Sequence, residues 1–171
     1  MHITDSDRKI PMTIPPSSIA PQIVRAFTGP AWHGEAIAEL LAGVTAKEAE
    51  ARPFDDLHTI AELVGHIGAW TAIAERRLAG ETGSPGESDV WPEVNTTTEK
   101  AWAAAVADCL EKHRSLMRAA AAVDERLLHE PLPGRDHDTE TMLRGIVEHD
   151  AYHGGQIAML KKVIRASRRA P

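Results

Sequence analysis

The sequence predicts an all-α protein, a four-helix bundle, on three observations. Apolar residues recur at helical spacings of three, four and seven in nearly every substantial segment after residue 17. Strand signals are nearly missing: β-branched runs are few and there is no Asn-Gly or Asp-Gly hairpin turn. The stretches between the periodic segments are rich in Gly, Pro and Ser. Four long helices with one apolar face each would bury those faces against one another. No fixed-period repeat is visible.

Taken in order, residues 1–17 are polar and proline-rich and predict a flexible N-terminal tail, leaving 18–171 as one helical domain. "SSIAPQIVRAFTGPAWHGEAIAELLAGV" places Ile23, Phe27, Ile37, Leu40 and Leu41 on one helical stripe, with Gly29-Pro30 as a kink. "TAKEAEARP" reads as a short helix, because Thr45 and Glu48 have capping-box spacing and Pro53 stops it. Thr59 and Glu62 repeat that spacing at the head of a second long helix, which runs through Ile60, Leu63, Ile67 and Trp70 to a stop at Gly80. "ETGSPGESDVWPEVN" is a long loop, of the kind that often carries function. A third long helix starts near Thr96 to Thr98, and a fourth runs from Thr139 or Glu140 to Ala166.

Composition narrows the function classes. At 171 residues, with 43% hydrophobic and 26% charged residues, the chain can bury a core without staples. A net charge of -6 argues against a general nucleic-acid binder. The basic cluster at Lys161, Lys162, Arg165, Arg168 and Arg169 suits the negative end of the last helix. No apolar run is long enough for a membrane helix, and the first residues lack the apolar centre of a signal peptide, so a cytoplasmic protein is expected. The single cysteine, Cys109, excludes an intrachain disulfide and reads as a small core residue.

Nine histidines remain to be sorted. His2, His58, His129 and His137 lie in the tail or near turns, and His113 sits beside Glu111, Lys112 and Arg114, so all five read as surface residues. His149 and His153 are different. Four residues apart on a helix, their imidazoles project from one face about a turn apart, among Ile146, Ile157 and Leu160. His66 lies on the apolar face of the second long helix, and glycines in "GHIG" would let another helix or a ligand approach closely. Buried imidazoles need hydrogen bonds or a metal, and two facing helices can supply three nitrogens to one ion. Spacing alone leaves both solutions open. "HDAYH" departs from the zinc-peptidase motif by having Asp150 for Glu, and no further ligand follows it. The His-Asp doublets at 137–138 and 149–150 lack the other ligands a phosphohydrolase site needs.

"FTGPAWHGEAIAELLAGVTAKEAEARP", "HTIAELVGHIGAW" and "GIVEHDAYHGGQIAMLKK" together resemble the DinB family (DinB/YfiT-like metalloenzymes), from about residue 20 to residue 165. The most specific element is His149, Tyr152, His153, Gly155, Gln156 and Ile157. The resemblance implies a four-helix bundle holding a divalent metal, zinc or nickel, on three histidines, which by motif are His66, His149 and His153. It also implies a homodimer. Characterised relatives include transferases that use a low-molecular-weight thiol, isomerases that use one too, and hydrolases, so a small-molecule substrate is expected. His33 in "AWHGE" matches the family pattern as well, either near the pocket or as a hydrogen-bonded structural histidine.

Three neutral imidazoles leave a metal its full charge and favour an anionic fourth ligand, hydroxide, thiolate or carboxylate. Glu62 and Glu148 are candidates for a base or for orienting an imidazole. Trp70 and Trp91 are candidate pocket walls, and Tyr152 and Gln156 flank the histidine pair. The sequence thus predicts a metal-dependent enzyme, a thiol-dependent transferase or a hydrolase. The competing class is a non-catalytic metal-binding bundle of a stress or damage response.

Overall fold

The computed structural model describes residues 16–168. Most of the expected tail, up to residue 15, lies outside that range, and Pro16 already begins a helix. The described chain is all-α. Its helices are α1 (Pro16–Thr28), α2 (Ile37–Leu41), α3 (Ala46–Glu50), α4 (Ile60–Leu78), α5 (Glu87–Val90), α6 (Glu99–Ala121) and α7 (Thr139–Ser167), with a 3-10 turn at Glu125–Leu127. No strand forms among the described residues; the two extended contacts, Ala31 with Gly34 and Pro131 with Asp138, are isolated bridges.

Three short helices accompany the four long ones: α3 is the short helix expected after Thr45, α2 is split from the first long stretch, and α5 forms within the stretch expected to be a loop. The first long stretch is also broken rather than kinked. α1 ends at Thr28, Gly29 takes a positive φ of 80°, and α2 starts only at Ile37. Gly29 is needed there: its left-handed backbone is strained for other residues, and Glu39 presses against the place a Cβ would occupy.

The helix starts follow local chemistry closely. Thr45 and Thr59 each accept from the backbone N–H three residues on, at 3.2 and 3.1 Å, while Glu48 and Glu62 accept the reciprocal bonds. Thr98 and Asp138 cap α6 and α7 in the same manner. Gly80, with φ 94°, follows the end of α4.

α1 and α4 each pack against both α6 and α7, so the four long helices share one interior. One end of it joins Phe27, Ile37, Leu40, Ile60, Leu63, Ile67, Trp102 and Ile157. The other joins Ile19, Ile23, Leu116, Leu132, Leu143 and Ile146. The stripe of α7 that faces inward runs Leu143, Ile146, Asp150, His153, Ile157, Leu160 and Ile164, a strict alternation of three- and four-residue steps. Two polar groups thus lie on a core stripe.

The basic cluster does more than complement a helix end. Arg165 and Arg168 each lie 3.2 Å from the buried Glu48, and Lys161 and Arg165 donate to the carbonyls of Leu40 and Gly43. The bond from Arg165, aided by its charge and that of Arg168, holds the Glu48 carboxyl below its ordinary pKa against the opposing effect of burial. α2 and α3 are clamped to α7 by these contacts, which position the end of α7 beyond the histidines.

Candidate metal centre

α4 and α7 bring His66, His149 and His153 together. One nitrogen from each lies within 4.8 Å of the other two, and the ring centroids are 5.0, 4.9 and 4.4 Å apart. A glycine beside His66 explains how the rings come so close to a roof. A Cβ on Gly65 would stand 2.6 Å from Val94, so only glycine lets the 92–94 segment lie against α4. A Cβ on Gly68 would stand 3.4 Å from Cys109 and Lys112 of α6, an ordinary contact, so the close approach depends on Gly65.

Hydrogen bonds determine which nitrogens face inward. His66 Nδ1–H donates to the Val90 carbonyl at 2.7 Å, and a carbonyl can only accept, so Nε2 of His66 presents its lone pair to the cluster. His153 Nδ1 is similarly engaged by Gln156 Oε1 at 2.6 Å, freeing its Nε2. His149 Nε2 lies 3.2 Å from His66 Nε2, while its own Nδ1 is buried without a partner. Nitrogens held at ~2.0–2.1 Å around one tetrahedral ion would be roughly 3.3–3.4 Å apart. The donor set and the closest spacing fit a divalent cation.

Electrostatics favours the same state. Burial pushes all three imidazoles below their ordinary pKa, and it takes His149 down to about 3, with the charges of His153, His66 and His113 adding to the effect. They are neutral at physiological pH, the form that binds metal. Trp91 stacks on His66 with centroids 3.8 Å apart, and His58 stacks on Trp91 at the same distance. Trp70 meets His66 and His149 edge-on at 6.4 and 6.3 Å. Tyr152 meets His153 edge-on at 4.9 Å but is itself exposed.

The remaining candidates lie elsewhere. Glu62 is occupied by its cap at Thr59 and by Arg52 and His58, and hydrogen-bonds to none of the three imidazoles. Glu148 is exposed on α7, and His33 is exposed in the loop between α1 and α2. Among the described residues no carboxylate belongs to the cluster.

His113 departs most from the sequence reading. It is fully buried, not on the surface. Its charged neighbours Glu111, Lys112 and Arg114 are adjacent in sequence and point away, whereas its true stripe is Trp102, Cys109, Leu116 and Ala120. That stripe was available to find it. His113 Nε2 lies 3.0 Å from Asp150 Oδ2 and 3.3 Å from Thr71 Oγ1, and Nδ1 lies 2.7 Å from the Cys109 carbonyl. Thr71 already donates its hydroxyl proton to Ile67 and can only accept from Nε2, so a ring that donates from both nitrogens satisfies all three contacts. The ring is an imidazolium beside a carboxylate. Burial opposes that charge, but the bond to Asp150 outweighs it and raises the His113 pKa to about 10. Burial pushes the Asp150 carboxyl up as well, with His113 opposing it. Cys109 is buried, and burial pushes its thiol up, away from the reactive thiolate.

Among the described residues no helix is long and apolar enough to cross a membrane. No curated protein and no solved structure matches the chain. A family model described as the DinB superfamily matches residues 31–157, a span that includes α4, α6 and all three converging histidines. The chain belongs to the DinB superfamily.

Proposed function

We propose that the protein is a metal-dependent enzyme acting on a small molecule, with His66, His149 and His153 as the ligands of one divalent ion, zinc or nickel. The observation that carries this reading is the convergence of three neutral imidazoles with no carboxylate among them. Such an ion would keep its full charge and supply a Lewis-acid position selective for an anionic nucleophile. The buried Cys109 is no source of one, so the nucleophile is hydroxide or the thiolate of a low-molecular-weight thiol, and the reaction is hydrolysis or thiol transfer.

The chain's own residues have separable roles in this reading. The Val90 carbonyl and Gln156 hold the protons of His66 and His153 outward and keep both Nε2 atoms available. Trp91 covers one face of His66 and keeps water from it. Among the described residues no carboxylate joins the three imidazoles, so an ion bound there would itself supply the charge that favours an anionic nucleophile. The family resemblance adds a homodimer and the four-helix bundle arrangement to the proposal.

The test is metal content of tag-free protein purified without chelator, alongside His66→Ala and His149→Ala. About one equivalent in the wild type, lost in both variants, is expected. Screening of thiols with small electrophiles, and of small esters and amides, then separates transfer from hydrolysis. No metal in any of the three proteins after incubation with zinc or nickel would overturn the reading.

A further inference from the structure

A cavity of about 380 Å³ adjoins the histidine cluster on the α4–α7 side, lined by Trp70, Arg77, His137, Thr141, Ile146 and His149. It has the cluster's own His149 at one end and a guanidinium at the other. Trp70 stands between them, its ring 5.6 Å from the Arg77 guanidinium carbon and 6.3 Å from the His149 ring centroid.

Arg77 and the nearby Arg135 each bury an Nε that has no hydrogen-bond partner, and of the two only Arg77 lines this cavity. Arg76, its neighbour, pairs with Glu81 at 3.0 Å, as a cation in a last helical turn commonly does. Arg77 makes no ion pair among the described residues, and its Nε is buried without a hydrogen-bond partner. A last-turn position accounts for a positive charge but not for a guanidinium tucked over an indole with a donor unused. Burial and the nearby Arg135, one terminal nitrogen of which donates to the carbonyls of Thr82 and Gly83, push the Arg77 pKa down against the opposing charge of Glu81, so an added anion would relieve it.

Gly145 supplies an independent observation. It lies in α7 one turn before His149 and lines the same cavity, and nothing stands within 4 Å of where its Cβ would be. A helix-interior glycine is unfavourable relative to alanine, and no packing contact requires this one. What the missing side chain leaves is room beside Trp70 and His149.

We propose that this cavity is a subsite for the substrate's anionic group: the enzyme acts on small carboxylate-bearing molecules, with the carboxylate on the Arg77 fork and the reacting end at the His66–His149–His153 cluster. A guanidinium offers two parallel N–H donors that match a carboxylate. The indole and Ile146 accommodate a short apolar body. This assignment rests on the metal-enzyme reading for the reacting end, but the Arg77 contact does not need the metal.

The experiment therefore measures binding in both metal-free and zinc-loaded protein. The probes are benzoate, benzamide and phenyl phosphate, followed by calorimetry and tryptophan fluorescence, with Arg77→Gln, Arg77→Lys and Gly145→Leu as variants. Thermal midpoints check that each variant folds. Benzoate is expected to bind metal-free wild type at least tenfold more tightly than benzamide. Arg77→Gln should bring that ratio close to one, Arg77→Lys should keep part of it, and Gly145→Leu should weaken both probes alike. The metal-free arm excludes capture of benzoate by the ion itself. It also separates the two readings, since loss of metal binding would leave this preference standing.

Equal binding of benzoate and benzamide, or a preference that survives Arg77→Gln, would overturn the subsite. So would binding of none of the probes. Binding of phenyl phosphate without benzoate would overturn the carboxylate assignment. Should Arg77→Gln fail to fold, Arg77→Lys decides, because a ratio unchanged by losing the fork would also count against the proposal.

Discussion

Replacing Asp150 by alanine tests the buried pair behind the cluster. Both residues of the pair are essentially inaccessible, at 0% for His113 and 1% for Asp150. Removing the carboxylate leaves an imidazolium in the interior, which must lose its Nε2 proton. The bare Nε2 then faces Thr71 Oγ1, whose only proton is already given to Ile67. Two acceptors would oppose each other unless Thr71 gives up its existing bond. Breaking a buried ion pair from one side costs about 3–5 kcal/mol, a large part of the ~5–15 kcal/mol that stabilises a typical domain. Asp150→Asn should cost less, about 1–2 kcal/mol, because its amide can donate to a neutral His113. His113→Phe combined with Asp150→Leu should be more stable than Asp150→Ala alone, since apolar groups of similar volume need no partner. Urea unfolding of metal-free protein at pH 7 measures all three. A cost below about 1 kcal/mol for Asp150→Ala, with unchanged denaturant slope, would refute the buried ion pair.

Three further outcomes are expected. Gly65→Ala should cost about 1–3 kcal/mol by overpacking against Val94, and should weaken zinc binding by displacing the segment that carries Val90 and Trp91; competition with a chromogenic chelator measures it. Thr59→Ala should cost about 1 kcal/mol in thermal unfolding by removing the α4 cap, with metal stoichiometry unchanged. Metal-free protein should lose stability as pH falls from about 6.5 toward 3. The folded imidazoles of His66, His149 and His153 have lowered pKa values, so in that window the unfolded chain binds more protons. A series of thermal midpoints that stays flat across that window would contradict the assignment of three neutral, desolvated rings.

The sequence by itself determined the helices with strong local signals. Thr45 with Glu48 and Thr59 with Glu62 are chemical contacts between residues three apart, so their spacing is enough to place a helix start. The inward facing of His66 and His153 follows equally from periodicity, because a helix fixes which residues share a face. Neighbours in sequence misled at His113, where the residues one position away lie on other faces and those three and four away form the core stripe.

Tertiary structure alone decided the rest. The bond from His66 to the Val90 carbonyl joins residues 24 apart, and a backbone oxygen carries no mark in a sequence. Trp91 came to stack on His66 because Gly65 lets its loop lie against α4. Asp150 found His113 because α6 and α7 turn those faces toward the same interior, and Glu62 was drawn away from the cluster by Thr59 and Arg52. Helical period fixes direction about one axis. Which groups meet across axes depends on how whole helices pack, and that is settled by the sum of the burial they share.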